Sequence, residues 1–316
     1  MSVLSKPYFH NEAEAFKYLE SVLWADGVVC PHCGVVGGRV YDLAGVRGRE
    51  SKKSPEGALR YGLKKCGECR KQFTVKVGTV FEHGRMPLHK MLQAVYLMTS
   101  SKKGISTHQL HRVLEITYKS AWFLTHRIRE AMRSGDLAPF GGEGGVVEID
   151  ETFIGKKKGA KVQRGPHHKM CVLSLVHRES GQSRCFVIDR VSRDEIMPIV
   201  MRNVERETYI MTDEAYIYRG AFRPLFLGHG RVNHQLGEYG RGRIHTNTVE
   251  QYFSIFKRGM KGVYQHCSEK HLHRYVAEFE FRYNNRVALG CDDEERARHA
   301  LRGLSGKRLT YGGSHA

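Results

Sequence analysis

Apolar residues recur at helical spacing from the start of the chain, with Phe16, Leu19 and Val22 following Asn11 as an N-cap, which predicts a helix over residues 11–22. A segment rich in cysteine and glycine turns follows to about residue 83 and includes the β-prone run Phe73-Thr74-Val75. The pattern is helical again from 86 to 133. Within it, residues 104–132 read as a helix-turn-helix: Ser106 and Gln109 form a capping box ahead of Leu110 and Val113-Leu114, and a turn at Glu115-Ile116-Thr117 leads into the second helix, Tyr118 to Arg129. A helical hairpin that merely joins domains is the competing reading, and Trp122 and Phe123 read as core. Ser134 to Gly145, dominated by Ser, Gly and Pro, is the clearest linker and marks the main boundary.

Beyond the linker the period shortens. Val146 to Ile149 is a strand-like run closed by Asp150, and Tyr209 to Thr212 is a second one closed by Asp213. Runs at 170–176 and 184–190 flank the turn Glu179-Ser180-Gly181 and predict a hairpin. A basic loop with Lys156-Lys157-Lys158 and His167-His168-Lys169 precedes them. Ser192 and Glu195 suggest a capping box for a helix to about 205, and a short strand is expected near Arg231 to His234. Glu250 opens a helix after His245-Thr246-Asn247-Thr248-Val249, and a final helix over 269–286 carries the apolar stripe Leu272, Tyr275, Val276, Phe279 and Tyr283 as core. The fold class is α/β with a mixed sheet. The segments divide as an N-terminal helix with a cysteine-rich module (1–83), a helix-turn-helix segment (84–135), a mixed-sheet domain (146–300) and a tail (301–316) that frays from Gly303.

Charge changes the picture more than composition does. Hydrophobic residues make up 41% of the 316, as in ordinary globular chains, but Lys plus Arg number 51 against 33 acids, a formal +18. That excess points to a polyanionic partner, nucleic acid above all. No apolar run approaches the roughly 18 residues of a membrane span, and the N-terminus carries no signal-peptide core. Eight cysteines without a secretion signal indicate a reducing cytoplasm.

Four of those cysteines form Cys30-Pro31-His32-Cys33 and Cys66-Gly67-Glu68-Cys69, two CxxC pairs with 32 residues between them. Two such turns facing each other complete a tetrahedral site for Zn²⁺, closed and therefore structural. His32 is an alternative ligand, and the long loop between the pairs should hold strands of its own. Arg47, Arg49, Lys52 and Lys53 in that loop suit DNA phosphates or are simply solvated. Cys171, Cys185, Cys267 and Cys291 are scattered and read as ordinary buried thiols.

Asp150, Asp213 and Glu250 carry the candidate chemistry. Acids at strand ends lie at the rim of a sheet, and three carboxylates converging there repel one another unless a hard cation, Mg²⁺ or Mn²⁺, neutralises them. Two such ions can clamp both oxygens of an in-line phosphoryl displacement. On the helix after the third acid, Glu250, Ser254, Lys257 and Lys261 share one face, which puts cations beside the acids where a DNA phosphate would lie. His245 and Asn247 stand at the mouth of the same region.

Val147-Glu148-Ile149-Asp150-Glu151-Thr152, Thr212-Asp213, His245 to Glu250, Phe256 to Tyr264 and Glu278 to Asn284 together resemble the DDE motifs of bacterial insertion-sequence transposases. The specific likeness is to the ISXO2-like group, which joins a zinc ribbon and a helix-turn-helix to a catalytic domain of RNase H-like fold, and it spans about residues 10–300. The resemblance implies that Asp150, Asp213 and Glu250 are metal-binding catalytic acids and that Lys257 contacts DNA; Arg258 and Lys261 beside it, and Lys119 and Arg127 on the second helix of the helix-turn-helix, are further DNA-contact candidates. It implies a bacterial, nucleoid-associated enzyme that binds terminal inverted repeats of double-stranded DNA as a homodimer or larger assembly and catalyses Mg²⁺-dependent strand cleavage and transfer. A host nuclease or resolvase on the same fold, and a zinc-ribbon transcriptional regulator, remain the alternatives.

Overall fold

A computed structural model describes residues 2–309 apart from Lys53, Asp136 and Tyr239, so the phosphate contact expected of Lys53 and the end of the tail fall outside the described residues. The chain divides into two compact units, one of Met1–Ser101, Ile105–Met132 and Asp292–Ala316, the other of Lys102–Gly104 and Arg133–Cys291.

In the first unit, α1 (Glu12–Leu23) starts at Asn11, whose side chain accepts the Glu14 N–H at 3.2 Å, and buries Ala15, Phe16 and Leu19. Strands β1 (Val40–Asp42), β2 (Lys64–Cys66) and β3 (Gln72–Phe73) pair antiparallel in that order, so the loop between the CxxC pairs does hold a strand. Next come α2 (Leu88–Ser100), α3 (Thr107–Val113) and α4 (Tyr118–Met132). The start of α2 has no side-chain cap of its own. The Glu12 carboxylate serves instead, accepting the Leu88 and His89 N–H groups at 2.7 and 3.1 Å. Ser106 caps α3 by accepting the Gln109 N–H at 3.1 Å, as the capping box predicts. Trp122 and Phe123 are only half-buried.

Two expectations about the C-terminus fail. A helix at Asp293–Arg302 packs on α2 and α1 in the first unit, so the mixed-sheet unit ends at Cys291 rather than near 300. Only Ala297, Ala300 and Leu301 give this charge-rich helix an apolar stripe, too narrow to stand out in the sequence. Leu304 and Ser305, expected to fray, are tied down: Leu304 is fully buried, its carbonyl accepts the Val80 N–H at 3.1 Å, and Ser305 bridges Thr79.

The second unit is built on five strands: β4 (Val146–Ile154), β5 (Met170–His177), β6 (Ser183–Ile188), β7 (Tyr209–Thr212) and β8 (Gly228–Arg231). Their spatial order is β6-β5-β4-β7-β8, with β6, β5 and β4 antiparallel and β7 and β8 parallel to β4. This is the mixed sheet of the RNase H-like fold. α5 (Arg193–Asn203) covers one face, where Ile196 and Val200 pack on Val147, Ile149 and Ile210. α6 (Asn247–Gly259), a π turn at Met260–Tyr264 and α7 (Glu269–Asn284) cover the other, packing Phe253, Phe256, Val276 and Phe279 on Val172, Val176 and Ile154.

Three details differ from the expected elements. Asp150 does not close its strand, because buried Thr152 and Ile154 carry β4 onward against β5. β8 lies slightly earlier than expected, and a 3₁₀ turn occupies His234–Leu236. Ser192 precedes α5 without a side-chain cap; Glu195 reaches back to accept the Asp189 and Arg190 N–H groups at 2.7 and 3.1 Å.

Candidate active site

β4 and β7 pair only from Val146 to Glu148 against Tyr209 to Met211, and the two strands then part. Asp150 lies just beyond this fork on β4, and Asp213 directly follows β7. α6 crosses the same region and brings Glu250 in its first turn. The three acids line one open cavity of about 570 Å³ together with His234, Thr246, Phe253, Ser254, Lys257 and Arg258. Sequence positions far apart are thus gathered as the acid pattern suggests, with two of the cations on the same wall. Lys261 lies exposed in the π turn, outside that lining.

Burial, then the neighbouring charges of Glu151 and Asp213, push the Asp150 carboxyl up to about 8, against the opposing Glu151 N–H at 2.8 Å. Burial also raises Asp213, although its Oδ1 accepts the Ala215 N–H at 3.0 Å. Glu250 Oε1 accepts the Thr246 hydroxyl at 2.9 Å and lies 3.4 Å from His234 Nε2. Three carboxylates lining one cavity supply the hard oxygen donors that suit a divalent ion. Their oxygens are not drawn as tightly together as metal ligands: among the described residues, only the four zinc-ribbon cysteines form a group whose ligand atoms all lie within 4.8 Å of one another.

Neighbours that the sequence pattern passed over complete the site. Glu151, on the opposite face of β4 from Asp150, accepts the Tyr218 hydroxyl at 2.5 Å, and burial pushes it up to about 7. Glu148, fully buried two residues before Asp150, pairs with Arg178 Nε at 2.5 Å. Both flank Asp150 in the sequence, and that adjacency was the available signal. His245, expected at the mouth, instead lies 3.2 Å from Glu148, and Asn247 is exposed at the first position of α6; neither lines the cavity.

The cysteine site is well formed. Cys30 and Cys69 sulfurs are 3.7 Å apart and those of Cys33 and Cys66 3.8 Å, matching the roughly 3.8 Å edge of a tetrahedron with Zn–S bonds of about 2.3 Å. Burial opposes ionisation of Cys30, but hydrogen bonds from the His32 and Cys33 backbone and from adjacent thiols bring it down to about 6. His32 turns to the Gln72 carbonyl at 3.2 Å and is not in the cluster. Of the other cysteines, Cys171 and Cys291 are buried and Cys185 and Cys267 partly so.

The residues expected to contact DNA differ in exposure. Arg127 is only 9% exposed, with its guanidinium 4.5 Å over the Phe123 ring, because its position on α4 falls between buried Leu124 and Ala131. Lys119, Lys257, Arg258 and Lys261 are exposed.

The strand order, with acids at the β4–β7 fork and on the helix crossing it, defines an RNase H-like domain. Residues 143–284 match the ISXO2-like transposase domain, and residues 10–72 match the transposase zinc-ribbon domain. Two stretches of the chain are thus similar to domains found in transposases, a zinc ribbon and an ISXO2-like domain. It is 25% identical over 300 residues to an uncharacterized protein in transposable element ISH50 of Halobacterium salinarum, covering 87% of this chain and 91% of that one. Two solved structures share a looser likeness. One is a simian T-cell lymphotropic virus intasome in complex with PP2A regulatory subunit B56 gamma (TM-score 0.29, 14% identity, 60% of this chain, 65% of that one). The other is a Drosophila P element transposase strand transfer complex (TM-score 0.23, 12% identity, 67% and 63%). The fold assignment rests on the strand order and the family match, not on these two. No helix among the described residues is long and apolar enough to cross a membrane.

Proposed function

We propose that this chain is a DNA transposase that binds the terminal inverted repeats of an insertion sequence and catalyses strand cleavage and strand transfer at their ends. The observation that carries the reading is the single cavity whose lining includes Asp150, Asp213 and Glu250 together with Lys257 and Arg258. Asp150, Asp213 and Glu250 would hold Mg²⁺ or Mn²⁺. When bound, the ions supply a polarised water or 3′-hydroxyl and neutralise charge building on the phosphate. Lys257 and Arg258 position a phosphate of the duplex beside the acids, and Lys261 extends the same basic face along the backbone. Phe253 forms an apolar part of the wall and limits water around the reacting centre.

The zinc ribbon, held by Zn²⁺ on Cys30, Cys33, Cys66 and Cys69, and the helices α3 and α4 supply recognition of the repeat, with Lys119 on a backbone phosphate. Two ends must be brought together for transfer, so the working form is a homodimer or larger nucleoprotein assembly in the cytoplasm. The test is a labelled duplex spanning one end of the element and its flank, incubated with protein and Mg²⁺. A cut at the repeat boundary that disappears when the repeat is scrambled supports the reading. Cutting indifferent to the repeat returns the protein to the host-nuclease class, and binding without cutting returns it to the regulators.

A further inference from the structure

We infer that Glu148 is a positioning residue that fixes Glu250 against Asp150; the inference rests on the active-site reading above. Glu148 lies on β4 two residues before Asp150, on the same face by strand alternation, and is fully buried. Its Oε2 accepts the backbone N–H groups of Thr248 and Val249 at 2.8 and 2.9 Å, and its Oε1 accepts the Thr248 hydroxyl at 2.9 Å and Arg178 Nε at 2.5 Å.

Thr248 and Val249 are the second and third residues of α6, whose N–H groups an N-cap side chain ordinarily satisfies. Thr246, at the N-cap position, makes no such bond; its hydroxyl goes to Glu250. The cap therefore comes from β4, a different element, and joins the strand of one acid to the helix of another. Arg178 tightens the link by donating to the carbonyls of Arg243 at 2.7 Å and His245 at 2.6 Å, in the loop that enters α6. With two donors on each oxygen, Glu148 has no remaining capacity to take a metal. A slip of α6 by one residue would move Glu250 by about 1.5 Å and turn it by about 100° around the helix, out of line with Asp150.

A residue that merely stabilises the fold and one that sets the spacing of metal ligands differ in their metal dependence. The experiment follows Mg²⁺-dependent end cleavage, thermal stability and amide hydrogen exchange in the full-length wild type, Glu148→Gln and Thr248→Val. Glu148→Gln should raise the half-saturating Mg²⁺ concentration about tenfold or more, as loss of a group behind metal ligands does, with much of the rate returning at high Mg²⁺. Amides of Thr248 and Val249 should exchange faster while those of the β4–β5 pairing do not change. Thr248→Val keeps both backbone bonds and should shift the Mg²⁺ dependence the same way by less.

Unchanged Mg²⁺ dependence in a folded Glu148→Gln overturns the inference. So does a rate loss equal at every Mg²⁺ concentration with exchange raised throughout the sheet. If Glu148→Gln does not fold, an unaltered Mg²⁺ curve in Thr248→Val overturns it instead. A wild type that does not cut removes the active-site reading and the positioning role with it, while the exchange data report separately on the cap.

Discussion

The backbone N–H of Val249 donates to Glu148 Oε2 at 2.9 Å, so the residue before Glu250 is bonded to the residue two before Asp150. The frame that spaces the acids is thus separate from the acids themselves. Partly buried, mutually repelling carboxyls cost stability when no cation is bound. Asp150→Asn and Asp213→Asn should therefore melt at or above the wild-type temperature in chelator, the usual exchange of function for stability. Thermal melts followed by circular dichroism check this; a fall of several degrees in either variant would mean that the acids hold the fold together.

The pH dependence follows from the same carboxyls. Asp150 is pushed up to about 8, by burial first and then by Glu151 and Asp213, whereas an unfolded Asp titrates near ~3.9. Between those values the folded state retains a proton that the unfolded chain has lost, so metal-free stability falls as pH rises from about 4 to about 8 and levels off above. Divalent ions need the ionised form, so their stabilisation should grow over the same range. Melting with and without Mg²⁺ at about pH 6 and about pH 9 should give the larger increment at the higher pH. An equal or reversed increment contradicts the placement of the ion on these acids.

Metal content tests the ribbon independently. Purified protein should hold about one zinc per chain, and Cys66→Ser should lower that content and loosen β1–β3, since the cluster of Cys30, Cys66 and Phe73 gives this module little other core. Elemental analysis with hydrogen exchange over residues 23–83 reads both. An intact ribbon without metal would contradict the assignment.

Much of this was legible because the chemistry is written locally. CxxC spacing, acids beside alternating runs, and Lys257 two turns after Glu250 all survive translation into three dimensions. The hairpin of β5 and β6 was legible from its turn, whereas the full order β6-β5-β4-β7-β8 was not. What stayed hidden depends on remote partners. Glu148 looks like an ordinary strand acid until Arg178, Thr248 and Val249 close around it, and the Asp293–Arg302 helix joins the first unit through Ala297, Ala300, Leu301 and the buried Arg296, which donates to the Thr99 carbonyl at 3.2 Å. Arg127 is a different case: it lies three residues after Leu124 and four before Ala131, so helical spacing already placed it on the buried face, and its charge obscured this.

That contrast predicts opposite behaviour for two basic residues. Lys257→Ala should leave folding unchanged, weaken end binding and cleavage together by about 1–3 kcal/mol, and reduce the salt dependence of binding by about one counterion. Arg127→Ala should leave the salt dependence alone and cost roughly 1 kcal/mol of stability through the lost packing over Phe123. Gel shifts across a salt series beside denaturant titrations separate the two, and the reverse assignment would move DNA contact to α4.

The central claim is that Asp150, Asp213 and Glu250 form one metal-dependent phosphodiester-cutting site. Its most direct test is single-turnover cleavage of a labelled end fragment in Mg²⁺ by wild type, Asp150→Asn, Asp213→Asn and Glu250→Gln, with binding measured in parallel in Ca²⁺. All three variants should bind the fragment as the wild type does and fail to cut it. Wild-type cleavage by any one of them would remove that acid from the site.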